Sequence, residues 1–136
     1  MTETSARLLR YLLCWALLAI VSIANGILRQ STYGTAMPEL TAHQVSTMTG
    51  IVLTGTVVWL FSRRWPLGSG REALRIGLLW LAMTVAFEFS FGRLVAGHSW
   101  SELVADYDLS AGRLWPVFLL WTAAMPYLFY RLSPGP

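Results

Sequence analysis

Residues 76–92 read IGLLWLAMTVAFEFSFG, and Glu88 is the one charged residue among them. The run is long enough to enter a bilayer as a helix, since about 20 residues cross about 30 Å of hydrocarbon. A carboxylate near the centre of such a helix costs roughly 2.5–3.5 kcal/mol on insertion scales. Glu88 therefore requires a partner, a proton or a function. The whole chain has the same bias. Of its 136 residues, 55% are hydrophobic and 12% charged, with a mean hydropathy of +0.53. A soluble domain carries about 25% charged residues, so the excess apolar surface must face something other than water. Every basic residue is Arg, and the net charge is +3. The arginines stand at the ends of apolar runs, which fits membrane orientation and not nucleic-acid binding. The single cysteine, Cys14, cannot form an internal disulfide, and it reads as a small buried apolar residue.

Four apolar runs are expected to span a membrane, at about 8–28, 44–62, 73–95 and 114–130. Only helices and closed barrels satisfy their own backbone polar groups in lipid, and barrel strands would alternate in polarity. The expected fold is thus all-α, one domain over 1–136. It is an integral bundle of four transmembrane helices plus a short interfacial helix in the second outer loop. Thr41 with Gln44, Ser69 with Glu72, and Ser99 with Glu102 each have capping-box spacing. Between Trp100 and Tyr107, the residues Trp100, Leu103, Val104 and Tyr107 form one apolar stripe, as on a helix lying in the headgroup plane. Pro66 stops the second run, Pro116 suits the first turn of the fourth, and Pro126 should kink or end it. The tail from Ser133 to Pro136 reads as a frayed end.

Arginine sets the orientation. Arg7, Arg10, Arg63, Arg64, Arg71, Arg75 and Arg131 fall on one side, and Arg29, Arg93 and Arg113 on the other. Seven against three puts both termini in the cytoplasm of a cell inner (plasma) membrane. Arg7 and Arg10 ahead of the first run, with Ser22 and Ala24 within it, imitate a signal peptide. The apolar run is longer than a usual signal core, so it reads as a retained span.

The outer half gathers Asn25, Arg29, His43, Glu88, Arg93, His98, Asp106, Asp108 and Arg113. Ser22, Asn25 and Arg29 share a helix face, as do His43, Thr47, Gly50 and Thr54, and Gly77, Trp80, Thr84 and Glu88. Gly50, Thr54 and Gly55 are small enough for close helix approach. Glu88 and Arg93 are five apart and do not stack, so Glu88 should look across to another helix. Arg29 is the first choice of partner and Arg113 the second. Such a pair can lock a bundle structurally, hold a ligand or proton, or meet a partner subunit. The candidate ligand or ion-pair site is Asn25, Arg29, His43, Glu88, Arg93, Asp106 and Arg113, with no catalytic role assigned. His43 near a helix N-terminus should be neutral at pH 7 and able to act as a base, or simply sit at the interface. His98 reads as an exposed loop residue. Asp106, Tyr107 and Asp108 form either a cation site or a solvated turn in which Asp106 pairs with Arg113. Phe87, Phe89, Phe91, Trp100, Tyr107 and Trp115 read as an interface belt or a pocket wall. The two histidines make no haem or metal motif, so no metal and no cofactor is assigned.

The strings NGILR (25–29), AHQ (42–44), FEFSFGR (87–93), GHSW (97–100), Asp106-Tyr107 and GRLW (112–115) resemble those of small uncharacterised four-helix bacterial inner-membrane proteins. The resemblance covers most of the chain and implies the fold, with no activity attached. Three function classes stand: a ligand-binding or accessory subunit of a membrane complex, a small oligomeric transporter or channel using Glu88, and an intramembrane enzyme. The first is preferred. No nucleophile motif, phosphate loop or metal spacing supports an enzyme, and no internal repeat supports a transporter. The expected partners are the lipid bilayer and either further copies of the chain or a larger membrane complex, with no nucleic acid.

Overall fold

Helices in this chain start where a short polar side chain accepts from an unpaired N–H of the first turn, or where a proline presets φ or removes one such N–H. Thr2 accepts from Ser5 N and opens α1 (Glu3–Ser31). Ser69 accepts from Glu72 N and opens α3 (Gly70–Leu94). Ser99 and Glu102 complete a reciprocal capping box at α4 (Trp100–Ala105). α5 (Trp115–Leu132) carries Pro116 in its first turn. The Thr41–Gln44 box is not used. α2 (Glu39–Arg64) begins earlier, behind Pro38, whose φ of −55° is already helical and whose carbonyl takes the Ala42 N–H. Pro126 does not end α5, which runs on to Leu132 with Pro126 buried. The computed structural model describes residues 2–133, so the Pro134–Pro136 part of the expected frayed tail lies outside the described residues.

Three of these helices, α1, α2 and α3, are long and apolar enough to cross a membrane. The other long helix, α5, expected as the fourth span, has 18 residues, or about 27 Å, and is not one of these three. All begin or end within five residues of the expected bounds; α1 and α2 start five residues early, and α5 is displaced by only one or two.

Side-chain contacts fix the topology. Tyr11 meets Phe61, and Asn25 meets Ser46, so α1 and α2 are antiparallel neighbours. Gly70 lies against Tyr127 and Gly77 against Ala123, so α3 and α5 are antiparallel too. Gly50 faces Phe118 and Gly55 faces Trp121, which sets α2 alongside α5 in the same direction. The ring closes between α1 and α3, where contact is sparse: Arg7 with Glu72, and Trp15 with Thr84.

The two ends of the bundle differ. At the end holding the α2–α3 turn, Tyr11, Cys14, Val58, Ala73, Trp80 and Met125 are wholly buried in one cluster. Their polar atoms are spoken for. Tyr11 OH donates to Trp65 O at 2.9 Å, Trp80 Nε1 donates to Tyr11 O at 3.0 Å, and Arg7 grips Glu72 with two bonds of 2.7 and 3.1 Å. The opposite end is less filled and holds the polar residues described below. Around the outside, large apolar side chains face outward on every long helix. Ile20, Val52, Leu78 and Leu120 are 64%, 65%, 63% and 68% exposed. Soluble monomers do not carry apolar surface spread so evenly, and such a surface suits an apolar solvent.

α3 and α5 approach so closely that a Cβ on Gly77 would collide with the Ala123 carbonyl, which is backbone and cannot yield. On Gly92 a Cβ would meet only the end of the Leu103 side chain. Gly77→Ala is expected to destabilise the purified protein by about 1–3 kcal/mol as overpacking. Gly92→Ala should cost clearly less, because Leu103 can rotate. Thermal unfolding in detergent compares the two, and equal losses would contradict this packing.

Candidate functional site

Glu88 lies in the last two turns of α3, and its position is set by what folds back over it. Beyond α3 the chain turns at Gly97, with φ of +73°, and His98 N returns to Gly92 O at 2.7 Å. The Ser99–Glu102 box then fixes α4, and those bonds from Ser99 hold the Glu102 carboxyl below the usual range. Leu103 is buried over Gly92, with the end of its side chain in the space beside that glycine. Phe89 stacks on both Trp100 and Tyr107, with centroids 5.8 and 6.0 Å apart. These contacts bring Tyr107 down onto α3. A second glycine, Gly112 with φ of +85°, turns the chain into α5, and Gln44 Nε2 holds its carbonyl at 2.8 Å.

The result is a clasp on one carboxylate oxygen. Glu88 Oε2 accepts from Tyr107 OH at 2.6 Å and from Trp115 Nε1 at 2.8 Å. Burial first, and the Glu88 carboxylate second, push the Tyr107 phenol up from 10.0 to about 12. Its proton therefore stays in place at neutral pH. The stabilisation is full below pH 10 and is lost only as pH climbs toward 12.

The expected ion pair of Glu88 with Arg29 or Arg113 is not formed among the described residues. Neutral donors from the loop and from α5 reach the carboxylate first. Arg113 Nη1 instead binds Glu39 Oε1 at 3.1 Å, so Asp106 does not pair with Arg113 either. Arg29 Nη1 donates to Ser46 Oγ at 3.1 Å. Arg93 turns outward, with its guanidinium 5.2 Å from the Trp100 ring centre and Nη1 on His98 O at 3.3 Å. It is absent from the walls described next. Asp108 accepts from Ser110 Oγ within its own turn.

Two cavities meet at Glu88. One, of about 350 Å³, runs between α1 and α3 and is walled mainly by apolar groups, among them Trp15, Leu18, Ile23, Phe87, Phe91 and Leu103. The other, of about 240 Å³, is walled by Asn25, Arg29, His43, Ser46, Thr47, Asp106 and Arg113. Ser22, Glu88, Asp106, Trp115 and Phe118 border both. Six of the seven residues expected at the site thus line the polar cavity, and Arg93 does not. His43 stands near four charged groups, Arg29, Glu39, Asp106 and Arg113, with Glu39 Oε1 at 3.7 Å. Asn25 is 8% exposed. Its Nδ2 donates to Ser46 O at 2.9 Å and to Ser46 Oγ at 3.2 Å, while its Oδ1 is buried and unbonded.

Tyr107, Trp115, Glu39 and Ser46 complete the site, and sequence reasoning did not assign them to it. The first two were read as belt or pocket-wall aromatics, although a phenol and an indole each carry a donor that a buried carboxylate can use. Glu39 had a usable signal in its i, i+4 spacing to His43.

Glu88→Gln keeps an acceptor for both donors, whereas Glu88→Ala strips them. The Ala variant is expected to lose about 1–3 kcal/mol more than the Gln variant, as for buried groups left unpaired. A guanidinium partner would reverse the logic, because Gln would then leave a buried charge alone at a cost of about 3–5 kcal/mol. Thermal midpoints in detergent decide: a Gln variant as damaged as the Ala variant would contradict the clasp.

In comparisons with known proteins, no family model, no curated protein and no solved structure matches the chain.

Proposed function

We propose that the chain is a small four-span inner-membrane protein, of the kind its sequence resembles, that holds an amphiphilic ligand at its outer end. The polar head occupies the cavity beside Arg29 and Asn25, and the hydrocarbon tail lies between α1 and α3. One observation carries this reading: a polar and an apolar cavity share a border at Ser22, Glu88, Asp106, Trp115 and Phe118. Ligand sites of about 300–1,000 Å³ are usual, and the two cavities together fall within that range. The sparse α1–α3 contact supplies a side entrance from the surrounding apolar phase.

Orientation supports the same reading. The arginine-rich end carries Arg10 and Arg64 over Trp65 and Arg63 over Trp59, at 5.7, 5.0 and 5.3 Å. Aromatic and arginine pairs of this kind suit the headgroup layer, and the arginine excess suits the cytoplasmic side. The ligand cavity then opens toward the outer leaflet. Transport through a single copy has less support, because Tyr11, Trp80 and Met125 fill the other half of the bundle at 0% exposure.

Protein purified in mild detergent is expected to retain about one amphiphile per copy, read by native mass spectrometry. Ser22→Trp, which fills the shared border, should release it while the protein stays folded. Undiminished retention in Ser22→Trp, or none in the natural chain, would contradict the proposal. In intact cells, a thiol reagent should label Ser110→Cys and spare Ser69→Cys; the opposite pattern would invert the orientation.

A further inference from the structure

The polar cavity is balanced in charge. Arg29 and Arg113 line it, and so do Glu88 and Asp106, while Arg113 is further engaged by Glu39. A cavity shaped for a simple anion would carry surplus positive charge, and this one has none.

Its unused bonding capacity is specific. Asn25 Oδ1 is buried without a partner, which is unfavourable unless a donor arrives. The Asp106 carboxylate takes no hydrogen bond among the described residues, and Glu88 spends only Oε2 on its two donors. Two carboxylates with unused lone pairs on the wall of one cavity, beside the buried and unbonded Asn25 Oδ1, call for a group rich in N–H donors. A primary ammonium has three and adds the charge that two carboxylates favour. Arg29 supplies the other half. Among the described residues its side chain bonds only Ser46 Oγ, which leaves most of its donor fork free. A guanidinium with free donors and no carboxylate suits a phosphate.

We infer that the head held in this cavity is a zwitterion, a primary amine and a phosphate diester joined by a short linker, as in an aminoethyl phospholipid. The amine lies toward Asn25, Glu88 and Asp106, the phosphate toward Arg29, and the chain of the lipid enters the apolar cavity. This rests on the amphiphile reading above and adds the chemistry of the head.

The test uses the full chain in nonionic detergent, titrated with lysophosphatidylethanolamine, lysophosphatidylglycerol and lysophosphatidylcholine of one acyl length. Tryptophan fluorescence reports binding, and thermal midpoints confirm folding of each variant. The ethanolamine lipid is expected to bind about tenfold tighter than the glycerol lipid, the size of one charge-assisted hydrogen bond. It should also exceed the choline lipid, whose nitrogen has no N–H to give. Asp106→Asn, in the loop, and Glu88→Gln should bring the ethanolamine-to-glycerol ratio toward one, while Arg29→Gln should weaken all three lipids alike. Equal affinity for ethanolamine and glycerol heads, or a preference for glycerol, would overturn the zwitterion and leave the amphiphile reading standing. Equal affinity for ethanolamine and choline heads would overturn the primary amine. Failure of all three lipids to bind saturably would overturn both readings.

Discussion

A carboxylate within an apolar helix must find donors, and in this chain they come from Tyr107 and Trp115. Each hydrogen bond to a charged group is worth about 1.5–3 kcal/mol, and the insertion cost of such a residue is roughly 2.5–3.5 kcal/mol. Two bonds therefore offset the placement of Glu88 without any opposite charge. The clasp also joins three separate parts of the chain: α3, the segment after α4, and the first turn of α5. Because neutral groups serve Glu88, Arg29 and Arg113 remain free for other work. Arg113 ties α5 to the start of α2 through Glu39, and Arg29 rests on Ser46.

The bundle divides its labour along its length. At one end Tyr11, Trp80 and Met125 exclude space, the Tyr11 hydroxyl and the Trp80 indole each donate to a backbone carbonyl, and Arg7 meets Glu72. At the other end the rings stack along their own helices, Trp115 on Phe118 in α5 at 5.3 Å and Phe87 on Phe91 in α3 at 5.6 Å, and Trp15 meets Phe87 edge-on across the α1–α3 seam at 6.2 Å. The room left at this end lies where α1 and α3 touch least. A well-packed half supplies the stability that a half with cavities lacks.

The long helices were legible because their signals are local. Runs of apolar residues with Ser69, Ser99 and Pro116 at their edges act within one or two turns. The faces were legible for the same reason: Asn25 and Arg29, or His43, Thr47 and Gly50, meet one cavity through helical spacing alone. The partner of Glu88 was not legible. It depends on a loop folding back across α3, steered by Gly97, the room over Gly92 and the stacking on Phe89, none of which charge pairing reveals. Expecting an arginine treated charge as the only remedy for charge; it set Asp106 against Arg113, which binds Glu39 instead, and counted Arg93 into a cavity that it does not line. The early start of α2 was hidden for a simpler reason. Pro38 caps by its fixed φ, whereas the Thr41–Gln44 spacing imitates a box one turn too late.

The most direct measurement is solid-state NMR on the protein in lipid bilayers, with labelled tryptophan, glutamate and arginine. A through-space correlation between the Trp115 indole nitrogen and the Glu88 side-chain carboxyl carbon is the expected result. A correlation from that carbon to a guanidinium nitrogen of Arg29 or Arg113, with none to the indole, would contradict it.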